Sequence, residues 1–208
     1  MRFSVRFVRS AASVGDFPRD TIPQIALVGR SNVGKSSLIN ALAGTRVARV
    51  SAAPGKTRLI NVYRVEVAAP AAGSVYVLDL PGYGYTRGGP TARRLFDTLA
   101  RAYFAQPAAE SGWQGPSAAM LVVDARHPGL ANDVAAWKGL ATLSCHTAAV
   151  ASKIDKLSRA ERVRVIESWQ TSLNAPVLAV SAVTGEGLEK IRNLIVRLTS
   201  RTTPPVAP

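Results

Sequence analysis

The sequence predicts an α/β fold: a mostly parallel six-stranded sheet with one antiparallel hairpin at its edge and helices on both faces. Three observations carry this prediction. Short apolar segments alternate along the chain with longer segments of helical periodicity, as in strand–helix–strand units. Two of the apolar segments are separated by only a short connection, which is typical of a hairpin. A glycine-rich loop joins one strand to the first helix, where folds of this class bind phosphate.

The hairpin connection is Ala68–Ser74, which contains Pro70 and Gly73. Most other connections are helical, so the remaining strands are predicted to be parallel. Ligands of such sheets bind at the carboxyl ends of the strands, and the motifs described below lie there. The predicted strands are 22–28, 59–67, 75–79, 119–124, 147–151 and 176–181, and the predicted helices are 35–43, 91–104, 131–142, 158–173 and 186–199.

The length of 208 residues corresponds to one domain with modest extensions. Residues 22–198 are predicted to form this domain, and the proline-rich residues 199–208 a disordered tail. Residues 1–21 are predicted to be an arm packed on the domain, because apolar and polar residues alternate from Phe3 to Phe7 as in an edge strand. A transit peptide is the minor alternative for this Arg- and Ser-rich segment.

The chain is strongly basic, with 26 Lys and Arg against 13 Asp and Glu and a formal net charge of +13. This excess favours a nucleic-acid or ribonucleoprotein partner, and a merely soluble basic protein is the alternative. No apolar run approaches the roughly 18 residues of a membrane helix, and no membrane partner is expected. The single cysteine excludes an internal disulfide framework. We expect a cytoplasmic monomer.

The segment Gly29–Ser36 fits the phosphate-binding pattern G-x-x-x-x-G-K-[ST] between a predicted strand and a predicted helix. Its glycines let several backbone N–H groups approach one anion, and the helix N-terminus adds partial positive charge. Lys35 is predicted to reach the β- and γ-phosphates, and the Ser36 hydroxyl to hold Mg²⁺. The alternative is a glycine turn with an incidental lysine. The predicted nucleotide-binding residues here are Gly29, Arg30, Ser31, Asn32, Val33, Gly34, Lys35, Ser36 and Ser37.

Two further segments predict contacts to Mg²⁺ and the γ-phosphate. Asp79 ends a strand and is predicted to act on Mg²⁺ through a bound water, while the Gly82 N–H donates to the γ-phosphate. An ordinary Asp-Pro-Gly turn is the alternative. Thr57, preceded by Gly55 and Lys56, is predicted to complete the Mg²⁺ shell only when a γ-phosphate is bound, which would make it a switch.

Ser152-Lys153-Ile154-Asp155 is similar to the guanine-binding pattern [NT]-K-x-D. Asp155 is predicted to accept hydrogen bonds from guanine N1–H and the 2-amino group, a donor pair that adenine lacks. The stem of Lys153 would cover the base, and Ser152 keeps a hydroxyl at the first position. A solvated charge pair is the alternative. At the end of the last strand, a backbone N–H is predicted to reach guanine O6, from the segment Val180, Ser181 and Ala182.

Taken together, these motifs resemble the EngB/YihA/YsxC family of ribosome-biogenesis GTPases. The resemblance covers residues 3 to 198 and implies a Ras-like P-loop GTPase fold that binds GTP, GDP and Mg²⁺. It also implies assembly of the large ribosomal subunit, through the subunit or its rRNA, and a link to division-septum formation. Ser152, in place of the usual threonine, leaves a divergent paralogue with a shifted partner as an alternative. The residues that carry the family resemblance are Gly29–Ser37, Pro54–Thr57, Ile60-Asn61, Asp79–Tyr85 and Asp124–Pro128.

The position after Gly82 predicts slow intrinsic hydrolysis, because Tyr83 stands where many Ras-like GTPases place a water-orienting glutamine. Asn32 is a candidate ligand for a K⁺ ion that would neutralise charge beside the phosphates. Stabilisation of the loop alone is the alternative for Asn32. The predicted catalytic residues are therefore Lys35, Asn32 and Thr57, with stimulation by a partner or by K⁺.

Two alternative functions remain open at this point. One is a nucleotide-gated binding module that scarcely hydrolyses GTP, and the other is a P-loop kinase or ATPase, against which Ser152–Asp155 argues. Arg94 and Arg101 lie seven residues apart on a predicted helix and can share a face toward RNA phosphates. Arg87 and Arg93 add charge nearby, and a solvated basic face is the alternative.

Overall fold

The computed structural model of the chain describes residues 3–49, 59–68, 73–83, 100–104 and 116–200. A single sheet of seven strands runs through these residues in the order β1-β3-β4-β2-β5-β6-β7. Five neighbouring strands are parallel, and the two outermost on one side form antiparallel pairs. The strands are β1 (Phe3–Ala11), β2 (Gln24–Val28), β3 (Ile60–Val67), β4 (Gly73–Asp79), β5 (Ala118–Asp124), β6 (His146–Ser152) and β7 (Val177–Ala179).

Helices cover both faces of the sheet, as predicted. One core cluster contains Leu38 of α1 and Ile191 of α4, and the other contains Leu140 of α2 and Trp169 of α3. Tyr103 of the helical segment 100–104 joins the second cluster. No helix in the described ranges is long and apolar enough to cross a membrane. The labelled helices are α1 (Lys35–Ala43), α2 (Ala131–Ala141), α3 (Arg159–Leu173) and α4 (Leu188–Ser200).

The sheet has seven strands and not the six that the sequence predicts, because the N-terminal segment forms β1. It pairs antiparallel with β3 from Phe3↔Val67 to Ala11↔Ile60. The ends of β1 are buried, with Phe3 7% and Ala11 0% exposed. The reason is that β3 would otherwise leave a row of N–H and C=O groups unpaired. The predicted β3–β4 hairpin is therefore one strand in from the edge.

The element bounds differ from the predictions by a few residues at the ends. The first helix matches at 35–43, whereas Ser158 is the N-cap of α3 and not its first helical residue. The last strand ends at Ala179, so the predicted O6-binding segment lies in the loop after it. The predicted helix 91–104 is described only at 100–104, and residues 105–115 and 201–208 also lie outside the described ranges.

Candidate functional site

The glycine-rich loop leaves the carboxyl end of β2, in the middle of the parallel strands, and leads directly into α1. Asn32 and Gly34 have positive φ angles of 62° and 106°. A Cβ atom added at Gly29 would lie 2.3 Å from the Val122 carbonyl oxygen, so only glycine fits there. These backbone requirements explain the local sequence and wrap the loop around the N-terminus of α1.

Lys35, the first residue of α1, is buried beneath the loop. Its Nζ donates to the carbonyl oxygens of Gly29 at 3.0 Å and Arg30 at 3.2 Å. Burial lowers the pKa of Lys35, and the nearby Asp79 carboxylate opposes that effect. An anion bound in the loop would further favour the charged ammonium group.

Ser36 and Asp79 place two oxygen atoms together at the start of α1 and the end of β4. The Ser36 hydroxyl donates to Asp79 Oδ2 at 2.7 Å. Burial raises the pKa of Asp79, while Lys35 and Ser36 act in the opposite direction. Within the described ranges no group of three or more His, Cys, Asp or Glu side chains could hold a metal. A hydroxyl and a carboxylate fit Mg²⁺, which usually keeps waters and takes substrate phosphates as its other ligands.

The segment after Asp79 lies directly against the glycine-rich loop. The Ser31 N–H donates to the Tyr83 carbonyl oxygen at 3.3 Å, and Arg30 and Tyr83 form a parallel bridge. A Cβ atom at Gly82 would lie 2.3 Å from the Ser31 nitrogen. A glycine is thus required for this close approach, and it places the Gly82 backbone beside the loop.

The segment predicted to bind the base is hydrogen-bonded to the same loop. The Ser152 hydroxyl is within hydrogen-bonding distance of the carbonyl oxygens of Val33 and, at 2.9 Å, Val123, and its single proton serves one of them at a time. Lys153 has a positive φ of 62°, and its Nζ donates to the Asn32 carbonyl oxygen. The serine found in place of threonine therefore still connects β6 to the loop.

Asp155 follows β6 and contacts the loop after β7. The Ser181 hydroxyl donates to Asp155 Oδ1 at 2.7 Å, and this bond lowers the pKa of Asp155. The N–H groups of Val180 and Ser181 donate to Ala151 and Glu186 carbonyl oxygens at 2.9 Å each. Two of the three residues predicted to reach guanine O6 therefore have N–H groups that are already hydrogen-bonded within the protein.

Two acidic residues at the site were missed by the sequence analysis. Asp133, in the first turn of α2, is fully buried and accepts hydrogen bonds from Arg30 and Tyr83. Asp124 at the end of β5 accepts from Lys153 Nζ at 2.9 Å and from Arg126. Burial favours the neutral form of Asp124, but these two partners hold its pKa well below its usual range. The one local signal was the position of each aspartate at a strand end or in a helical first turn.

Several predicted residues lie outside the described ranges. These are the switch residues Gly55, Lys56 and Thr57 and the basic residues Arg87, Arg93 and Arg94. Arg101 is described and is exposed on the helical segment 100–104. The structure thus brings together the phosphate loop, Asp79, Gly82 and the base-side segments, and it does not describe the predicted switch threonine.

Comparison of sequences identifies relatives over nearly the whole chain. A family model described as "50S ribosome-binding GTPase" matches residues 24–162. The "Probable GTP-binding protein EngB" of Heliobacterium modesticaldum is 37% identical over 91% of this chain and 89% of its own length. The protein of the same name from Pelotomaculum thermopropionicum is 36% identical over 93% and 94% of the two chains.

Solved structures agree with these relatives in fold. Era of Aquifex aeolicus, solved with GDP and AlF₄⁻, has a TM-score of 0.71 at 20% identity, over 89% of this chain and 60% of its own. A protein described as a probable GTP-binding protein engB has a TM-score of 0.61 at 23% identity, over 85% and 98% of the two chains. The fold is that of the P-loop GTPases, and on the sequence relatives the chain belongs to the EngB family of GTP-binding proteins.

Proposed function

We propose that this chain is a slow GTPase switch that acts in assembly of the large ribosomal subunit. The observation that carries the proposal is the joining of phosphate, metal and base-side groups at one edge of the sheet. On the metal side, Ser36 Oγ lies 2.7 Å from Asp79 Oδ2. On the base side, a hydrogen bond from the Ser181 hydroxyl orients the Asp155 carboxylate. This arrangement fits the triphosphate, the Mg²⁺ and the guanine of one nucleotide.

In this proposal the residues of the loop bind and orient the phosphates. Lys35 exchanges its contacts with the Gly29 and Arg30 carbonyl oxygens for phosphate oxygens. Ser36 would be a Mg²⁺ ligand, Asp79 would hold the ion through a bound water, and Thr57 would complete the set of ligands. Bound Mg²⁺ supplies neutralisation of the charge that develops on the phosphates. The Gly82 N–H donates to the γ-phosphate, so this segment responds to GTP and not to GDP.

Slow hydrolysis is supported by where the Tyr83 side chain points. Its hydroxyl donates to Asp133 at 2.7 Å, so the side chain is committed to α2 and does not replace a water-orienting glutamine. The same observation favours a second candidate function, a nucleotide-gated binding module with negligible hydrolysis. Single-turnover hydrolysis of bound GTP separates the two, since only a GTPase converts it to GDP at a measurable rate.

Asn32 supports a proposal of K⁺ stimulation. Asn32 is an exposed residue of the phosphate loop and has a positive φ of 62°. A monovalent cation held there would neutralise charge that develops during hydrolysis. We expect faster hydrolysis in KCl than in NaCl at equal ionic strength, and an Asn32→Ala variant should lose the difference. Equal rates of the original protein in the two salts would contradict the proposal.

The guanine assignment is tested by Asp155→Asn. Loss of the carboxylate removes charge-assisted hydrogen bonds to the base, and GTP affinity should fall by about 100-fold. Affinity for xanthosine triphosphate should rise, because its 2-oxo group can accept from the new amide. Asp20→Asn is the matched control, because the Asp20 carboxylate accepts a hydrogen bond from Tyr76 near the start of β2, whereas the loop follows its end. Unchanged GTP affinity of Asp155→Asn would overturn the assignment.

The ribosomal partner is supported by charge and by relatives. The net charge of +13 exceeds what one nucleotide requires, and the family model carries the description of a 50S ribosome-binding GTPase. The proposal also places this protein in the cytoplasm as a monomer and includes the link to septum formation that the family resemblance implies. Subunit profiles after depletion of the protein test it, since large-subunit precursors should accumulate.

A further inference from the structure

Asp133 is the one charged side chain in the described residues that is completely buried without belonging to the proposed nucleotide contacts. It lies in the first turn of α2, where Leu130 is the N-cap and provides no side-chain cap. A carboxylate at this position commonly turns back toward the helix N-terminus. Here it points instead toward the glycine-rich loop and the segment after Asp79.

Its two partners come from two other parts of the site. Arg30 Nε lies 3.1 Å from both carboxylate oxygens of Asp133, and the Tyr83 hydroxyl donates to Oδ1 at 2.7 Å. Burial and the bond to Asp133 raise the pKa of Tyr83, so the hydroxyl remains a donor. One carboxylate therefore joins α2, the phosphate loop and the segment that contains Gly82.

Backbone contacts also join the phosphate loop to the segment that contains Gly82. Ser31 N–H donates to the Tyr83 carbonyl oxygen, and Gly82 packs so closely that a Cβ would collide with Ser31. The side-chain contacts through Asp133 and this backbone contact hold neighbouring residues of the same two segments. Movement of Gly82 away from the loop would have to break both.

We infer that Asp133 is a positioning residue, which holds Tyr83 and Arg30 so that the Gly82 backbone stays at the γ-phosphate side of the loop. The inference rests on the proposed GTPase function and adds a residue to it. It also gives Tyr83 a role, since its hydroxyl anchors the segment in place of orienting a water. GDP has no γ-phosphate, so binding of GDP should be insensitive to this contact.

The test compares Tyr83→Phe, Asp133→Asn and the double variant in the full-length protein. Tyr83→Phe removes one hydroxyl and leaves the Arg30–Asp133 pair intact, so it carries the test if Asp133→Asn fails to fold. Each single variant should lower the single-turnover rate of GTP hydrolysis by about fivefold, the size expected for one hydrogen bond. GDP affinity should stay within about twofold, and the double variant should be no slower than the slower single variant.

Tyr76→Phe is the matched control, because the Tyr76 hydroxyl donates to Asp20 at 2.9 Å, away from the loop. This control should hydrolyse GTP at the original rate. Tyr83→Phe acting at the original rate or faster would overturn the inference, and so would equal losses of GTP and GDP affinity. Failure of the original protein to bind GTP would instead overturn the proposed function.

Discussion

Gly82 approaches the phosphate loop so closely that there is room for a hydrogen atom, but not for a methyl group, on its Cα atom. A methyl group in its place would lie 2.3 Å from the Ser31 nitrogen and 2.7 Å from the Arg30 carbonyl carbon, both backbone atoms that cannot rotate away. The segment can keep its place on the loop only while residue 82 is glycine. Under the proposed function, the response of this segment to a γ-phosphate therefore requires that residue 82 has no Cβ atom.

Gly82→Ala should displace this segment and reduce GTP hydrolysis by about tenfold or more, since a loss near 1.4 kcal/mol of transition-state stabilisation has that effect. GDP affinity should change little. Gly139→Ala is the matched control, because it lies within α2 and a Cβ there meets no atom within 4 Å. This control should stabilise the protein by up to about 1 kcal/mol. A Gly82→Ala protein with full hydrolysis would contradict the expected displacement.

Ser152→Ala should weaken both stability and nucleotide binding. The hydroxyl is buried between the Val33 and Val123 carbonyl oxygens, and its removal leaves the loop without that donor. We expect the free energy of unfolding to fall by about 1–2 kcal/mol, measured by urea denaturation. Ser172→Ala is the control, since the Ser172 hydroxyl donates only to the Ser168 carbonyl oxygen of its own helix. Equal effects of the two substitutions would contradict a special role for Ser152.

Asp124 should contribute stability that depends on pH. The bonds from Arg126 and Lys153 depress its pKa in the folded protein, so the contribution is complete above the unfolded pKa of about 3.9 and is lost as the pH falls through the folded value. The difference in unfolding free energy between the original protein and Asp124→Asn should shrink as the pH falls below about 4. A difference that stays constant between pH 6 and pH 3 would argue against the assigned ion pairs.

At the scale of elements, two phenylalanines on the same face of β1 are buried to very different extents. Phe3 is buried against the cluster of α1 and α4. Phe7 is 49% exposed, and its ring packs at a steep angle on the Tyr63 ring. The buried ring anchors the strand at its start. The exposed ring adds little apolar burial.

Phe3→Ala should therefore cost about 3 kcal/mol of unfolding free energy, and Phe7→Ala less than about 1 kcal/mol. Urea denaturation of both variants measures the contrast. Removing residues 1–11 should be more damaging than either substitution, because it also exposes the outer edge of β3. Similar losses for Phe3→Ala and Phe7→Ala would contradict the placement of β1.

Elements whose signals are local were predicted well from the sequence. The bounds of α1 were predicted from the phosphate-loop motif that precedes it, and in the structure Gly34 and Gly44, both with positive φ, border the helix. The alternation in β1 was recognised, but its partner strand was not, since the paired residues lie between 49 (Ala11 and Ile60) and 64 (Phe3 and Val67) positions apart in sequence. The phosphate loop is likewise contiguous in sequence. Asp133 escaped prediction because its contacts span 103 residues to Arg30 and 50 to Tyr83.

At the scale of the whole molecule, the excess of positive charge predicts how binding depends on salt. If the partner is ribosomal RNA, association with the large subunit should weaken steeply as KCl is raised, through release of counterions from phosphates. Arg94→Glu with Arg101→Glu should weaken association and reduce the salt slope, in co-sedimentation measurements. Arg159→Glu with Arg164→Glu, on the exposed side of α3, changes the net charge equally and is the control. If both pairs of substitutions weakened association with the large subunit equally, the effect would come from net charge, and a specific role of Arg94 and Arg101 would be contradicted.

Ser152 and Lys153 both bind the backbone of the glycine-rich loop, at Val33 and Asn32. Under the proposed function, the base and the phosphates of one nucleotide therefore meet protein segments that are bonded to each other. The distance between the two ends of the site is set by the fold and not by the ligand. The protein should therefore select ligands by the distance between their base and their phosphates. A guanine compound in which this distance differs should bind weakly, even though its base and its phosphates each match the segment that binds them.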